Sequence, residues 1–128
     1  LDFPSMYAAM ERADYFLPLL DPGNPAHDRY ITTGITGSAL LIYGFAKIPV
    51  IHEKFASFYG FNDRNALLYG EETLGGAMLR AIRQTEEEYA EMQQALLQLG
   101  RDIDRESRSN LKRALAACSP SKPQQSRQ

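Results

Sequence analysis

Few residues in this chain have the types and spacing that chemistry needs. Its 128 residues include one cysteine and two histidines. That excludes an intrachain disulfide and a Cys-based zinc or iron–sulfur site, and it leaves little for an imidazole cluster. His27 and His52 lie outside any local ligand spacing, each beside an acid, Asp28 and Glu53. Such a residue reads as a surface histidine next to a carboxylate rather than as the base of a dyad. The stretch Gly34-Ile35-Thr36-Gly37-Ser38 has the outline of a phosphate loop, but a P-loop carries its lysine directly after the last glycine, where the ammonium reaches the phosphates. Ser38 stands in that place and the next lysine is Lys47, so phosphate binding is set aside at this level.

Glu86, Glu87, Glu88 and Glu91 form an acidic cluster. Consecutive helical residues splay by about 100°, so only Glu87 and Glu91 share a face. A solvated face with Arg83 four residues before Glu87 is expected, not a cation site. Cys118 lacks a companion thiol or a neighbouring histidine, which argues against a nucleophile. Arg108, Lys112 and Arg113, interleaved with Leu111 and Leu115, suit contact with anionic lipid or with an acidic partner. No catalytic, cofactor-binding or metal-ligating residue is expected, and no cofactor.

The elements that would carry these residues follow from the distribution of charge. The chain is 44% hydrophobic and 23% charged with net charge −2. Its mean hydropathy is −0.38. Residues 1–29 hold five acids against two bases, 71–106 nine acids against four bases, and 107–128 five bases and no acid. Near-zero net charge in blocks of alternating sign excludes nucleic-acid binding by bulk charge.

Tyr30 to Ala46 is a run of 17 residues without a charge. Extended to Ile51 it makes a helix of about 33 Å, enough for a hydrocarbon core of about 30 Å if Lys47 snorkels and Pro49 kinks the last turn. A transmembrane helix over 30–52 is therefore expected. Thr33, Gly34, Gly37, Ser38 and Gly44 would let another helix approach closely. Phe55, Phe58, Tyr59 and Phe61 read as an interfacial belt in the loop 53–70, and the slight excess of bases after the run puts the C-terminal side in matrix or stroma.

Residues 1–29 read as an arm with a short amphipathic helix capped by Ser5, ended by Pro18 and the turn Asp21-Pro22-Gly23-Asn24-Pro25. Within 71–118, a long helix or helix pair, Met78, Ile82, Thr85, Tyr89, Met92, Leu96, Leu99 and Ile103 step by four and three as a heptad seam for a partner. The tail 119–128 has no apolar residue and is expected to be disordered. The first residue is Leu1, consistent with a trimmed or processed start. The expected fold class is all-α: one membrane span plus a heptad-patterned amphipathic helix, without an independent globular core. The expected function is that of a non-catalytic accessory subunit scaffolding an organellar membrane complex. A mitochondrial inner-membrane respiratory-chain or ATP synthase complex comes first and a thylakoid photosystem second, with other subunits and the lipid bilayer as partners and no nucleic acid. The competing expectation is a soluble helical protein-interaction module.

Overall fold

The computed structural model describes residues 2–71 and 73–118. The chain forms a three-stranded parallel sheet in the order β1-β2-β3, from Tyr15–Phe16 (β1), Ile48–His52 (β2) and Leu67–Tyr69 (β3). Strand β2 is central, and its two halves pair with different neighbours. Ile48 and Pro49 pair with Tyr15 and Phe16, whereas Val50, Ile51 and His52 pair with Leu67, Leu68 and Tyr69. Pro49 thus lies where only β1 is adjacent, and its missing N–H breaks no bond to β3. Side chains alternate between two cores. Ile48, Val50 and Leu67 pack with Ala77 on one face, while Ile51 packs with Ala39, Ile42, Phe55 and Leu96 on the other. A parallel sheet covered on both faces is apolar at every position, as Ile48-Pro49-Val50-Ile51 is.

The same run closes the expected membrane span, and here that expectation is overturned. Residues 30–52 divide into the end of a 3-10 helix (Pro25–Ile31), a loop, helix α2 (Gly37–Phe45) and β2. Helix α2 is capped by Thr36, whose hydroxyl accepts the Ser38 N–H at 3.2 Å. It stops at Ala46, which is left-handed with φ 50°. Beyond it, β-branched Ile48, Val50 and Ile51 around Pro49 favour strand over helix. Nine helical residues span about 13 Å, less than half of a hydrocarbon core of about 30 Å. Among the described residues no helix is long and apolar enough to cross a membrane. The fold is mixed α/β with cores of its own, not an all-α assembly of span and seam. Because a left-handed alanine is strained where glycine is not, Ala46→Gly is expected to stabilise the fold by about 0.5–1 kcal/mol. The check is a higher urea midpoint; a lower one would contradict it.

Helix α1 (Phe3–Arg12) opens at Asp2 rather than Ser5: Asp2 Oδ1 accepts the Ser5 N–H at 2.8 Å, and Pro4 occupies the first turn. It ends at Arg12 because Tyr15 already belongs to the sheet. After β2 come α3 (Glu53–Ala56) and a 3-10 turn (Ser57–Tyr59). Phe55, Tyr59 and Phe61, read as an interfacial belt, are instead buried in the α2-side core.

Helices α4 (Leu74–Arg83) and α5 (Glu86–Cys118) divide the heptad seam between them, Met78 and Ile82 on α4 and the later positions on α5. Thr85, the odd residue of the pattern, marks the boundary. Its hydroxyl accepts the Glu88 N–H at 3.2 Å and the Glu88 carboxylate accepts the Thr85 N–H at 2.8 Å, a capping box. Helix α5 passes Gly100 without a break. Tyr89 and Met92 pack into the α4-side core and Leu96 and Leu99 into the α2-side core. Helix α5 therefore crosses the edge where the strands begin, and there Gln93 Nε2 donates to the Ala46 carbonyl at 3.2 Å. The expected tail 119–128 lies outside the described residues.

Candidate functional site

In a parallel α/β sheet the helices that follow the strands start where the strands end, so ligand-binding groups converge on that edge. Here the edge is formed by the ends of β1, β2 and β3, the loop 17–36, and the first residues of α2, α3 and α4. The loop is folded on itself. Asp21 Oδ1 accepts the Gly23 N–H and the Asp21 N–H donates to His27 Nδ1, both at 2.8 Å, while Asn24 caps the 3-10 helix through the Ala26 N–H at 3.0 Å. Lys54, just after β2, donates to Asp28 Oδ1 at 2.8 Å and to the Pro22 carbonyl at 2.9 Å. The Lys54–Asp28 pair is partly exposed, so it contributes at most about 1 kcal/mol and serves mainly to fix the loop over the central strand.

The two histidines, which a membrane span would have separated, belong to this one edge, because Lys54 and Asp28 tie their segments together. His52 Nδ1 accepts the Lys54 N–H at 3.1 Å, and its ring meets Tyr69 edge-on with centroids 5.2 Å apart. In each ring Nδ1 accepts a backbone N–H, and Nε2 is the remaining ring nitrogen. Burial pushes the Tyr69 phenol up, and the Asp21 carboxylate adds to this. The Glu53 carboxylate lies against Gly70, in the space that a Cβ there would need.

The turn before α2 is held from several sides. The Arg29 carbonyl accepts the N–H groups of Thr32, Thr33 and Gly34 at 3.3, 3.0 and 2.8 Å. Buried Tyr59 donates its hydroxyl to the Tyr30 carbonyl at 2.9 Å and accepts the Thr36 N–H at 3.3 Å. Tyr43 donates to the Tyr59 carbonyl at 2.5 Å. Burial, with Tyr59 a second cause, pushes the Tyr43 phenol up to about 12. Beside these fixed groups, the N–H groups of Ile35 and Gly37 have no acceptor among the described residues. A Cβ on Gly37 would meet nothing within 4 Å. The turn thus presents two unengaged N–H groups near the positive end of the α2 dipole, with open space beside Gly37, an arrangement suited to an anion.

Of the residues singled out for helix packing, Thr33 and Gly34 lie in this turn, Gly37 and Ser38 begin α2, and Gly44 lies near its other end. Apart from the chain neighbours and the helix's own backbone, no described atom lies within 4 Å of the Cβ positions at Gly37 and Gly44. On the seam, Met78 and Ile82 are exposed, Tyr89, Met92, Leu99 and Ile103 are half-buried, and Leu96 is buried. Arg108 pairs with Asp104 at 2.8 Å, Arg113 donates to Asn110 Oδ1, and Lys112 is exposed. Among the described residues no group of three or more His, Cys, Asp or Glu could hold a metal ion, and Cys118 is exposed.

A hollow of about 900 Å³ lies between α5 and the Asp63–Arg64 turn, lined also by Glu88, Glu91, Met92 and Arg101. It is an open trough of mixed charge. Two smaller hollows, about 250 and 410 Å³, adjoin Tyr69 at the strand-end edge. Tyr69 is not singled out by the sequence, and Asp21, Glu53 and Lys54 are marked there only as a turn residue, a neighbour of His52 and a base after the uncharged run. No protein-family profile, curated protein or solved structure matches the chain. The mitochondrial inner-membrane and respiratory-chain assignment is therefore corrected: it was drawn from a span that the fold replaces with α2 and β2, and no relative supports it.

Proposed function

We propose that the chain is a nucleotide-binding α/β unit in which the start of α2 holds the diphosphate of a nucleotide or nucleotide-activated donor. The observation that carries this reading is the pair of unengaged N–H groups, Ile35 and Gly37, at a Gly/Thr/Ser turn on the strand-end edge of a parallel sheet. Ser38 stands where a P-loop has its lysine. The turn therefore supplies dipoles and hydroxyls without the ammonium that serves transfer of a terminal phosphoryl group. Such a site suits a diphosphate that stays bound as anchor or leaving group, which points to transfer of a group from a nucleotide-activated donor, with the developing charge on the diphosphate met by preorganised N–H groups.

The test is titration of the isotopically labelled chain with UDP, GDP and ADP, each against its nucleoside. At least one diphosphate is expected to shift the amides of Ile35, Gly37 and Ser38 and to bind about tenfold or more tighter than its nucleoside, a difference of about 1.4 kcal/mol. If these amides stay unmoved by all three, the proposal fails. A second reading, docking without catalysis, is favoured by one feature: past Ile103, α5 continues through residues 104–118 with every side chain exposed, Leu111 and Leu115 among them. Removing residues 104–118 should leave diphosphate binding intact under the first reading and abolish capture of a protein partner under the second.

A further inference from the structure

A hollow of about 570 Å³ opens on the edge where the strands begin, the opposite edge of the sheet from the turn before α2. Its size falls within the range of small-molecule sites, roughly 300–1,000 Å³. Tyr15 at the start of β1 and Tyr89 on α5 line it, with ring centroids 5.6 Å apart and planes at 82°. Two perpendicular rings make a corner to which each presents a face. Their hydroxyl protons are engaged within the chain. Tyr15 donates to Gln84 Oε1 at 2.6 Å and lies 3.1 Å from the Ala81 carbonyl, while Tyr89 donates to the Asp14 carbonyl at 3.0 Å. What the rings have left for a ligand is the negative face of each π-system.

The rim adds negative charge. Asp14, directly before β1, and Glu86, in the first turn of α5, line the same hollow, and none of its described lining residues is Lys or Arg. Both acids are exposed, and neither carboxylate has a hydrogen-bond or ion-pair partner among the described residues. Burial pushes the Tyr15 phenol up, and Tyr89, Asp14 and Glu88 add to this; burial also pushes Tyr89 up, with Asp14 a second cause. The Asp14 carboxylate thus acts on both rings. The positive dipole end of α5 reaches this rim, but it is equivalent to only about half a charge, and Glu86, Glu87 and Glu88 in that turn outweigh it. The last turn of α4 brings its negative end to the hollow through Ala81 and Ile82, while Arg80 and Arg83 line a different one.

The geometry points to a site for an organic ammonium whose charge is spread over methyl groups, a quaternary or methylated amine. Such a cation is held by aromatic faces and nearby carboxylates without hydrogen bonds of its own. A primary ammonium would need acceptors for three N–H groups, and the Ala81 carbonyl already accepts the Tyr15 hydroxyl and the Gln84 N–H. Ile82, 79% exposed, lines the hollow and offers apolar surface to the carbon chain of the ligand. A free small amine and a methylated lysine side chain carry the same head group.

Titration of the isotopically labelled full chain with choline, with a peptide bearing trimethyllysine and with neohexyl alcohol, the uncharged carbon isostere of choline, tests this. At least one methylated cation is expected to bind about tenfold or more tighter than the alcohol. Its methyl proton resonances should move upfield under the ring faces, and the amides of Tyr15, Ala81 and Tyr89 should shift while those of Ile35 and Gly37 stay in place. The tighter of the two cations tells the free amine from the side chain. Tyr89→Leu should weaken binding about tenfold or more, and Tyr89→Phe, which keeps the ring, by no more than about threefold. Asp14→Asn and Glu86→Gln, both at exposed positions, should each weaken it about threefold or more; they serve where loss of the ring unfolds the chain. Equal binding of choline and its uncharged isostere, or no binding of either methylated cation, overturns the proposal. Unchanged affinity in Tyr89→Leu and in the two acid variants overturns it as well.

Discussion

Phe55→Ala is expected to destabilise the chain by about 3–5 kcal/mol, the largest stability loss foreseen for a single substitution here. The Phe55 ring has no exposed surface and sits at the centre of the α2-side core with Ile42, Ile51, Tyr59 and Leu96. Truncation removes the transfer free energy of the ring and leaves a cavity that α3, anchored to β2 directly before it, cannot collapse to fill. Against the total of about 5–15 kcal/mol for a domain, the variant should be close to unfolded at 37 °C or unfold at a much lower urea concentration. Equilibrium urea unfolding followed by circular dichroism measures it. A loss below about 1 kcal/mol would mean that Phe55 does not anchor a packed core.

The second large effect lies at the turn before α2, and it separates binding from stability. Gly37→Asp places a carboxylate where the diphosphate is proposed to sit. Gly37 has open space at its Cβ position, and an acid in the first turn of a helix is favourable by about 0.3–1 kcal/mol. The melting temperature should therefore hold or rise. Diphosphate affinity should fall about a hundredfold or more, because two like charges would share one set of donors in a site of reduced dielectric. Gly44→Asp, at the other end of α2 and equally open, adds the same charge and should leave the affinity within about twofold, a difference of about 0.4 kcal/mol. Equal binding losses in the two variants, or none in either, would remove the diphosphate from the α2 turn.

The residues that misled sequence reading did so for definable reasons. An uncharged run from Tyr30 to Ala46 has no internal mark of the places where a 3-10 helix, a turn and a short helix meet. Its breakpoints are Thr36, a cap, and Ala46, which takes a left-handed conformation normally left to glycine. Pro49 read as a kink because a buried central strand rarely holds proline. It is tolerated only through the split pairing of β2, a tertiary fact. Thr85 interrupts the apolar heptad seam, and the Glu88 that completes its capping box stands three residues on; an unbroken four-and-three period hides the cap. Gly34 to Ser38 lacks the lysine of a phosphate loop, so the motif alone does not point to an anion. A helix start needs only unengaged N–H groups to attract an anion, and which N–H groups remain unengaged depends on Tyr59 and Arg29, fixed by the fold. The two histidines could not be brought to one edge before Lys54 and Asp28 were known to meet.

Helix α5 ties the two faces of the sheet together from the far end of the chain, and this sets an order on synthesis. Ile42, Ile51 and Phe55 are made early, yet the helix segment that covers them is centred on Leu96. At about 5–20 residues per second, the nascent chain carries this apolar surface without its lid for roughly 2–8 s. During that interval Phe55 and its neighbours are open to a chaperone or to another nascent chain, and the yield of folded protein should depend on how fast the segment from Gly60 to Leu96 is translated.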